Sequence, residues 1–175
     1  MSTKLDQLRA KVMQIQVNKR YDRMFLLDTS YSMLGEKLFT AKNVLDEYIK
    51  NGDGLIVFGS DVFHIDYSKL NTLMASGETA ILPAIMEALK FYPKELILIT
   101  DGEANRGGYA PEIINFVSRI SGIIIHTIAI GECADKPLLE TIAELTGGKF
   151  NYSDQIHHLK DTIKMLCAPE TSIAL

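Results

Sequence analysis

Two carboxylates and three hydroxyls stand at three separate places in this chain. "MFLLDTSYSM" (24–33) runs four apolar residues into Asp28, Thr29, Ser30 and Ser32. "SGETA" (76–80) carries Thr79, and "ELILITDGE" (95–103) carries Thr100 and Asp101. Taken alone, Asp28, Ser30 and Ser32 fit a turn or a helix cap, which favour Asp and Ser. Taken with Thr79 and Asp101 they form a set of hard oxygen donors without histidine or thiol. That chemistry suits Mg²⁺, Mn²⁺ or Ca²⁺ rather than zinc or copper. With hydroxyls bound directly and carboxylates acting through water, the ion stays electrophilic and keeps an open position. A carboxylate from another molecule is its natural occupant.

Such residues meet only if the chain delivers them to one place. "MFLL" (24–27), "LIVFG" (55–59), "ELILIT" (95–100) and "GIIIHTIAI" (122–130) read as buried strands, the first, third and fourth uniformly apolar. Helical spacing is expected over 36–50, ending at Asn51-Gly52, and from Ile81 to about Phe91. Pro111 suits the first turn of a helix reaching about Ile120. Asp135 caps a helix with Pro137 just inside it and Gly147-Gly148 at its end. The short Gly59-Ser60-Asp61 turn forces "VFHI" (62–65) into an antiparallel hairpin. Residues 66–80 are polar and irregular, and "KFNY" (149–152) reads as a short edge strand. Asp154 caps a last helix with Ile156, Leu159, Ile163 and Leu166 on its apolar face.

The alternation of strands and helices predicts an α/β fold, a Rossmann-like three-layer α/β/α sandwich. Its central sheet is mostly parallel, with one antiparallel edge strand. In such a sheet ligands bind outside the carboxyl ends of the strands. If the strands at 24–27 and 95–100 are neighbours at the switch point, the three oxygen-bearing segments converge.

The segments also carry a resemblance. "DTSYS" (28–32) fits the Asp-x-Ser-x-Ser motif of von Willebrand factor A (vWA) domains. Thr79 and Asp101 fall at that family's second and third positions, and the resemblance covers roughly 22–167. It implies an intact metal-ion-dependent adhesion site (MIDAS). Ser30, Ser32 and Thr79 would touch the metal, and Asp28 and Asp101 would hold it mainly through waters. The implied activity is metal-mediated binding of a protein partner that presents Asp or Glu, without catalysis. In integrin-type relatives the C-terminal helix, here 154–167, moves with the metal site. Two positions depart from many intracellular members: Tyr31 replaces a glycine, and Glu78 precedes Thr79. Tyr31, Glu78, Asn105, Arg106 and Tyr109 are candidate partner contacts on the same face.

Competing readings are a metal-dependent, phosphatase-like hydrolase and a structural or oligomeric subunit. The first lacks an Asp-x-Asp pair, since residue 30 is Ser, and no lysine or histidine is an obvious acid/base partner for Asp28. A nucleotide-binding loop of the Gly-x-x-x-x-Gly-Lys type is absent from the sequence. His157-His158 reads as a solvated helix face, and His64 and His126 as structural strand residues.

The chain of 175 residues is 47% hydrophobic and 23% charged, with a net charge of −4, which suits one soluble domain. Residues 1–23 hold six basic and two acidic residues, leaving 12 basic and 20 acidic residues in the body, a balance of −8. This argues against nucleic-acid binding. Two cysteines at no metal spacing, no apolar leader and no spanning run predict a cytoplasmic protein away from the membrane. The expected organisation is an amphipathic helix within 1–20 (Leu5, Leu8, Val12, Ile15), a domain over 21–168 and a loose tail at 169–175.

Overall fold

The structure is a computed structural model that describes residues 20–153 and 158–168. The N-terminal stripe, Asp154, Ile156, His157 and the tail lie outside the described residues. Among the described residues are six strands and five α-helices: β1 (Arg23–Asp28), α1 (Glu36–Tyr48), β2 (Gly54–Phe58), β3 (Val62–Ile65), α2 (Ile81–Leu89), β4 (Glu95–Thr100), α3 (Ala110–Val117), β5 (Ile124–Ile130), α4 (Lys136–Thr146), β6 (Phe150–Ser153) and α5 (His158–Cys167). The sheet order is β3-β2-β1-β4-β5-β6, and only the β2–β3 pairing is antiparallel. The expected three-layer α/β/α architecture is therefore present, with the antiparallel strand at an edge.

Strand side chains alternate between faces, so each central strand feeds two cores. Met24, Leu26, Leu96 and Leu98 pack with Ile81, Ile85, Ile113, Leu139 and Ile142 of α2, α3 and α4. Phe25, Leu27, Ile97 and Ile99 pack with Leu38, Leu45, Leu159 and Ile163 of α1 and α5. A strand buried on both faces has no polar side to alternate, which is why these runs read as continuously apolar.

The helices end earlier than their apolar spacing implies. The chain leaves α1 at Ile49, which is extended, and a turn closes as Asp53 Oδ2 accepts the Lys50 N–H at 2.9 Å. After α2, residues 89–92 continue only as i→i+3 turns, with Phe91 N–H donating to Ala88 and Tyr92 N–H to Leu89. Residues 67–72, expected to be irregular, form a 3₁₀ helix capped by Asp66, and it buries Leu70. The α4 boundaries follow the expected signals: Asp135 accepts the Leu138 N–H at 3.1 Å, and Gly147 is left-handed at φ 73°. The strand histidines are structural. His64 Nε2 pairs with the Tyr21 hydroxyl at 2.9 Å, and His126 Nδ1 accepts the Lys149 N–H at 3.1 Å. Burial lowers the His126 pKa, in keeping with an accepting, neutral ring.

Candidate metal centre

The order reverses between β1 and β4, which lie side by side, and this is the switch point. Leu27 pairs with Ile99, so Asp28 and Thr100 finish their strands level with each other. The Thr100 hydroxyl donates to Asp28 Oδ2 at 2.5 Å, and the Ser30 N–H donates to Asp28 Oδ1 at 2.7 Å. Both carboxylate oxygens are thus engaged, and the residue has no exposed surface. Burial pushes the Asp28 carboxyl up to about 6; hydrogen bonds from Thr100 and Ser30 oppose the rise, and nearby Asp101 adds to it.

From Asp28 the chain turns through Ser30 into a short 3₁₀ turn, Tyr31–Met33, that brings Ser32 back toward β4. The Ser30 and Ser32 hydroxyls lie 2.9 Å apart, and Ser32 donates to Asp101 Oδ1 at 2.7 Å. Thr79 reaches the same point from the loop before α2. A side chain added at Gly102 would lie 3.3 Å from Thr79 Oγ1 and 3.4 Å from Ser32 Oγ, so the glycine leaves the space between these oxygens clear. Asp28, Ser30, Thr79 and Asp101 are buried, whereas Ser32 is exposed. The acids lie deep with Ser30 and Thr79, and Ser32 alone of the five reaches the surface, an arrangement that would leave an oxygen-held cation one open side, at Ser32.

The donor set fits a small hard divalent ion. Among the described residues no group of three or more His, Cys, Asp or Glu side chains could hold a metal. A metal held at this point would take most of its protein donors from hydroxyls.

The expected contact residues divide. Tyr31 and Tyr109 present largely exposed rings. Glu78 and Arg106 pair with each other at 2.7 Å, and Arg106 Nε donates to the Ser60 carbonyl at 2.9 Å. Asn105 has an inward role: its Oδ1 accepts the Thr79 N–H at 2.8 Å, and its own N–H donates to the Thr79 carbonyl at 3.2 Å. One neighbour escaped the sequence reading. The Lys37 ammonium, from the first turn of α1, binds Asp101 Oδ2 and reaches the Ser32 carbonyl at 3.3 Å. Its sequence signal was a cation in a helix's first turn, where the dipole favours acids.

The comparisons bear on the fold that carries these residues. A family model described as von Willebrand factor type A domain matches residues 66–152. Calcium-activated chloride channel regulator 1 of Mus musculus is 29% identical over 179 residues, covering 85% of this chain and 19% of that protein. The chain spans a fifth or less of the length of the first curated relatives it matches. The von Willebrand factor type A structure from Catenulispora acidiphila superposes with a TM-score of 0.69 at 20% identity, covering 86% of this chain and 42% of that one. Proximal thread matrix protein 1 from the mussel byssus, solved with a zinc-occupied MIDAS motif, gives 0.62 at 20% identity, covering 93% and 51%. The structural likeness shows the fold, and with the family model it supports a von Willebrand factor type A domain of Rossmann-like architecture.

Proposed function

We propose that the chain is a metal-dependent protein-interaction module that captures an Asp or Glu of a partner through a divalent cation. The observation that carries this reading is the meeting of Asp28, Ser30, Ser32, Thr79 and Asp101 at the β1–β4 switch point. Ser30, Ser32 and Thr79 would hold the ion directly, and Asp28 and Asp101 would hold it through water. A bound cation supplies Lewis acidity toward a carboxylate. The chain's own part is to orient the donors and to keep the acids behind them. Asp28 fixes the Ser30 backbone, Asp101 aims the Ser32 hydroxyl, and Asn105 fixes the loop that carries Thr79.

Binding fits this arrangement better than hydrolysis. A phosphoryl-accepting Asp28 would need an accessible oxygen, whereas both of its oxygens accept hydrogen bonds in a buried setting. Tyr31 and Tyr109 are the residues we assign to partner contact, since exposed tyrosines make good interface anchors. One exposed and one buried free thiol, Cys133 and Cys167, suit the cytoplasmic setting proposed from the sequence. Mg²⁺ or Mn²⁺ is the expected occupant, with Ca²⁺ next, and the zinc-occupied neighbour places Zn²⁺ in the trial set. Calorimetric titration of the chelator-stripped protein with each ion tests the reading. The wild type should bind Mg²⁺ or Mn²⁺ and Asp28→Ala should not; equal heats from both proteins would refute the site.

A further inference from the structure

We infer that Lys37 is a tethered counter-ion for the site, an internal cation that the divalent metal must displace from Asp101. The inference rests on the metal-binding reading above and deepens it. Asp101 is fully buried, and one of its oxygens takes the Ser32 hydroxyl while the other takes the Lys37 ammonium. Without the ammonium, that oxygen would be a buried anion lacking its charge partner, which is costly. Lys37 sits in the first turn of α1, where the helix dipole disfavours a cation. Its position is therefore explained by Asp101 rather than by the helix.

The lysine is also built to leave. Its side chain is 32% exposed, unlike the carboxylate it serves. Its stem passes Gly131 in the loop after β5, where an added side chain would lie 3.6 Å from Cε and 3.8 Å from Nζ. A cation held by Ser30, Ser32 and Thr79 would face Asp101, whose Oδ1 already takes the Ser32 hydroxyl. The ammonium and the metal then compete for one carboxylate and repel each other. By linkage, Lys37 weakens metal binding by the same factor by which metal weakens the Lys37–Asp101 pair. Metal loading thus converts Lys37 from an internal ion-pair member into a cation at the rim, beside the exposed Ser32.

Calorimetry with Mn²⁺ on the full chain tests this, using wild type, Lys37→Met and Lys37→Arg after chelator stripping. Met keeps the stem and removes the charge, and it should bind Mn²⁺ about 5- to 150-fold more tightly, the usual span of such couplings. Arg keeps the charge and should stay near wild type. The metal-free Lys37→Met protein should unfold at lower temperature and gain more from Mn²⁺. Equal or weaker binding by Lys37→Met, with wild type binding normally, would overturn the counter-ion role and leave the metal site standing. Absence of binding in wild type and Lys37→Met alike would overturn the metal reading itself. A readout on the wild type alone guards against a variant that does not fold. Amine acetylation read by mass spectrometry should rise at Lys37 when Mn²⁺ is added, and unchanged labelling of a loaded protein would overturn the inference.

Discussion

Asp28 shows what a single buried carboxylate costs a fold. Burial raises its pKa from an ordinary 3.8 to about 6, so the folded chain holds this proton more tightly than the unfolded chain does. Stability from this group therefore falls as pH rises from about 4 to about 6, and above that the anion carries its full cost. A rise from 3.8 to about 6 corresponds to about 3 kcal/mol. In chelator at pH 7, Asp28→Asn should unfold at higher denaturant concentration than wild type, by up to about 3 kcal/mol, while losing metal affinity. The gap should close toward pH 4. Urea titrations at the two pH values check this, and a gap independent of pH would show that the carboxylate is not desolvated. In the sequence Asp28 stands out only in company with Thr79 and Asp101, because an acid ending an apolar strand reads by itself as a turn or a cap. Lys37 was not legible as part of the site, because its contact with Asp101 joins residues 64 positions apart.

Among the elements, the loop before α2 is the one whose order the sequence hid. It reads as polar and irregular, yet it is laced to its neighbours. Ser76 N–H donates to the Thr29 carbonyl at 2.8 Å, Tyr31 N–H to the Gly77 carbonyl at 3.0 Å, and Ala80 N–H to the Gly59 carbonyl at 3.2 Å. Gly77 is left-handed, at φ 80°, and a side chain there would meet the Ser60 hydroxyl at 2.5 Å. These contacts link segments far apart in the chain, so no local pattern announces them. Thr79 owes its place to this lacing and to Asn105. Asn105→Ala leaves the largely buried Thr79 N–H without its acceptor and should cost about 1–3 kcal/mol in unfolding free energy. Metal affinity should fall with it, although Asn105 supplies no donor to the ion. Calorimetry paired with denaturant unfolding separates the two effects, and a stable variant with wild-type affinity would remove Asn105 from the site's support. Gly77→Ala should be worse on both measures, because the backbone conformation and the space are both unsuited to a side chain.

Across the whole molecule, the architecture was legible because the strands are buried on both faces and the hairpin turn is short. Helix ends were less so, since apolar spacing runs past the last i→i+4 bond. The two cores separate the labour. One holds α2, α3 and α4, and the other holds α1, from whose first turn Lys37 reaches Asp101, together with α5. The Leu159, Ile163 and Cys167 stripe of α5 is buried, and an exposed Lys160–Glu47 pair at 2.8 Å ties it to α1. Among the described residues the hydrogen bonds of the site run to β2, β4, the 76–80 loop, α1 and Asn105, and α5 lies behind them in the core. Ile163→Ala removes a fully buried side chain and should cost about 2–5 kcal/mol. If α5 is support only, metal affinity measured well below the unfolding transition should match wild type, and the cost should add to that of Asn105→Ala within about 0.5 kcal/mol, as for separated sites. A change in Mn²⁺ affinity in folded Ile163→Ala would instead show that the position of α5 is coupled to the metal, as the integrin-type resemblance implies. That single measurement decides whether the helix is a wall of the domain or a moving part of it.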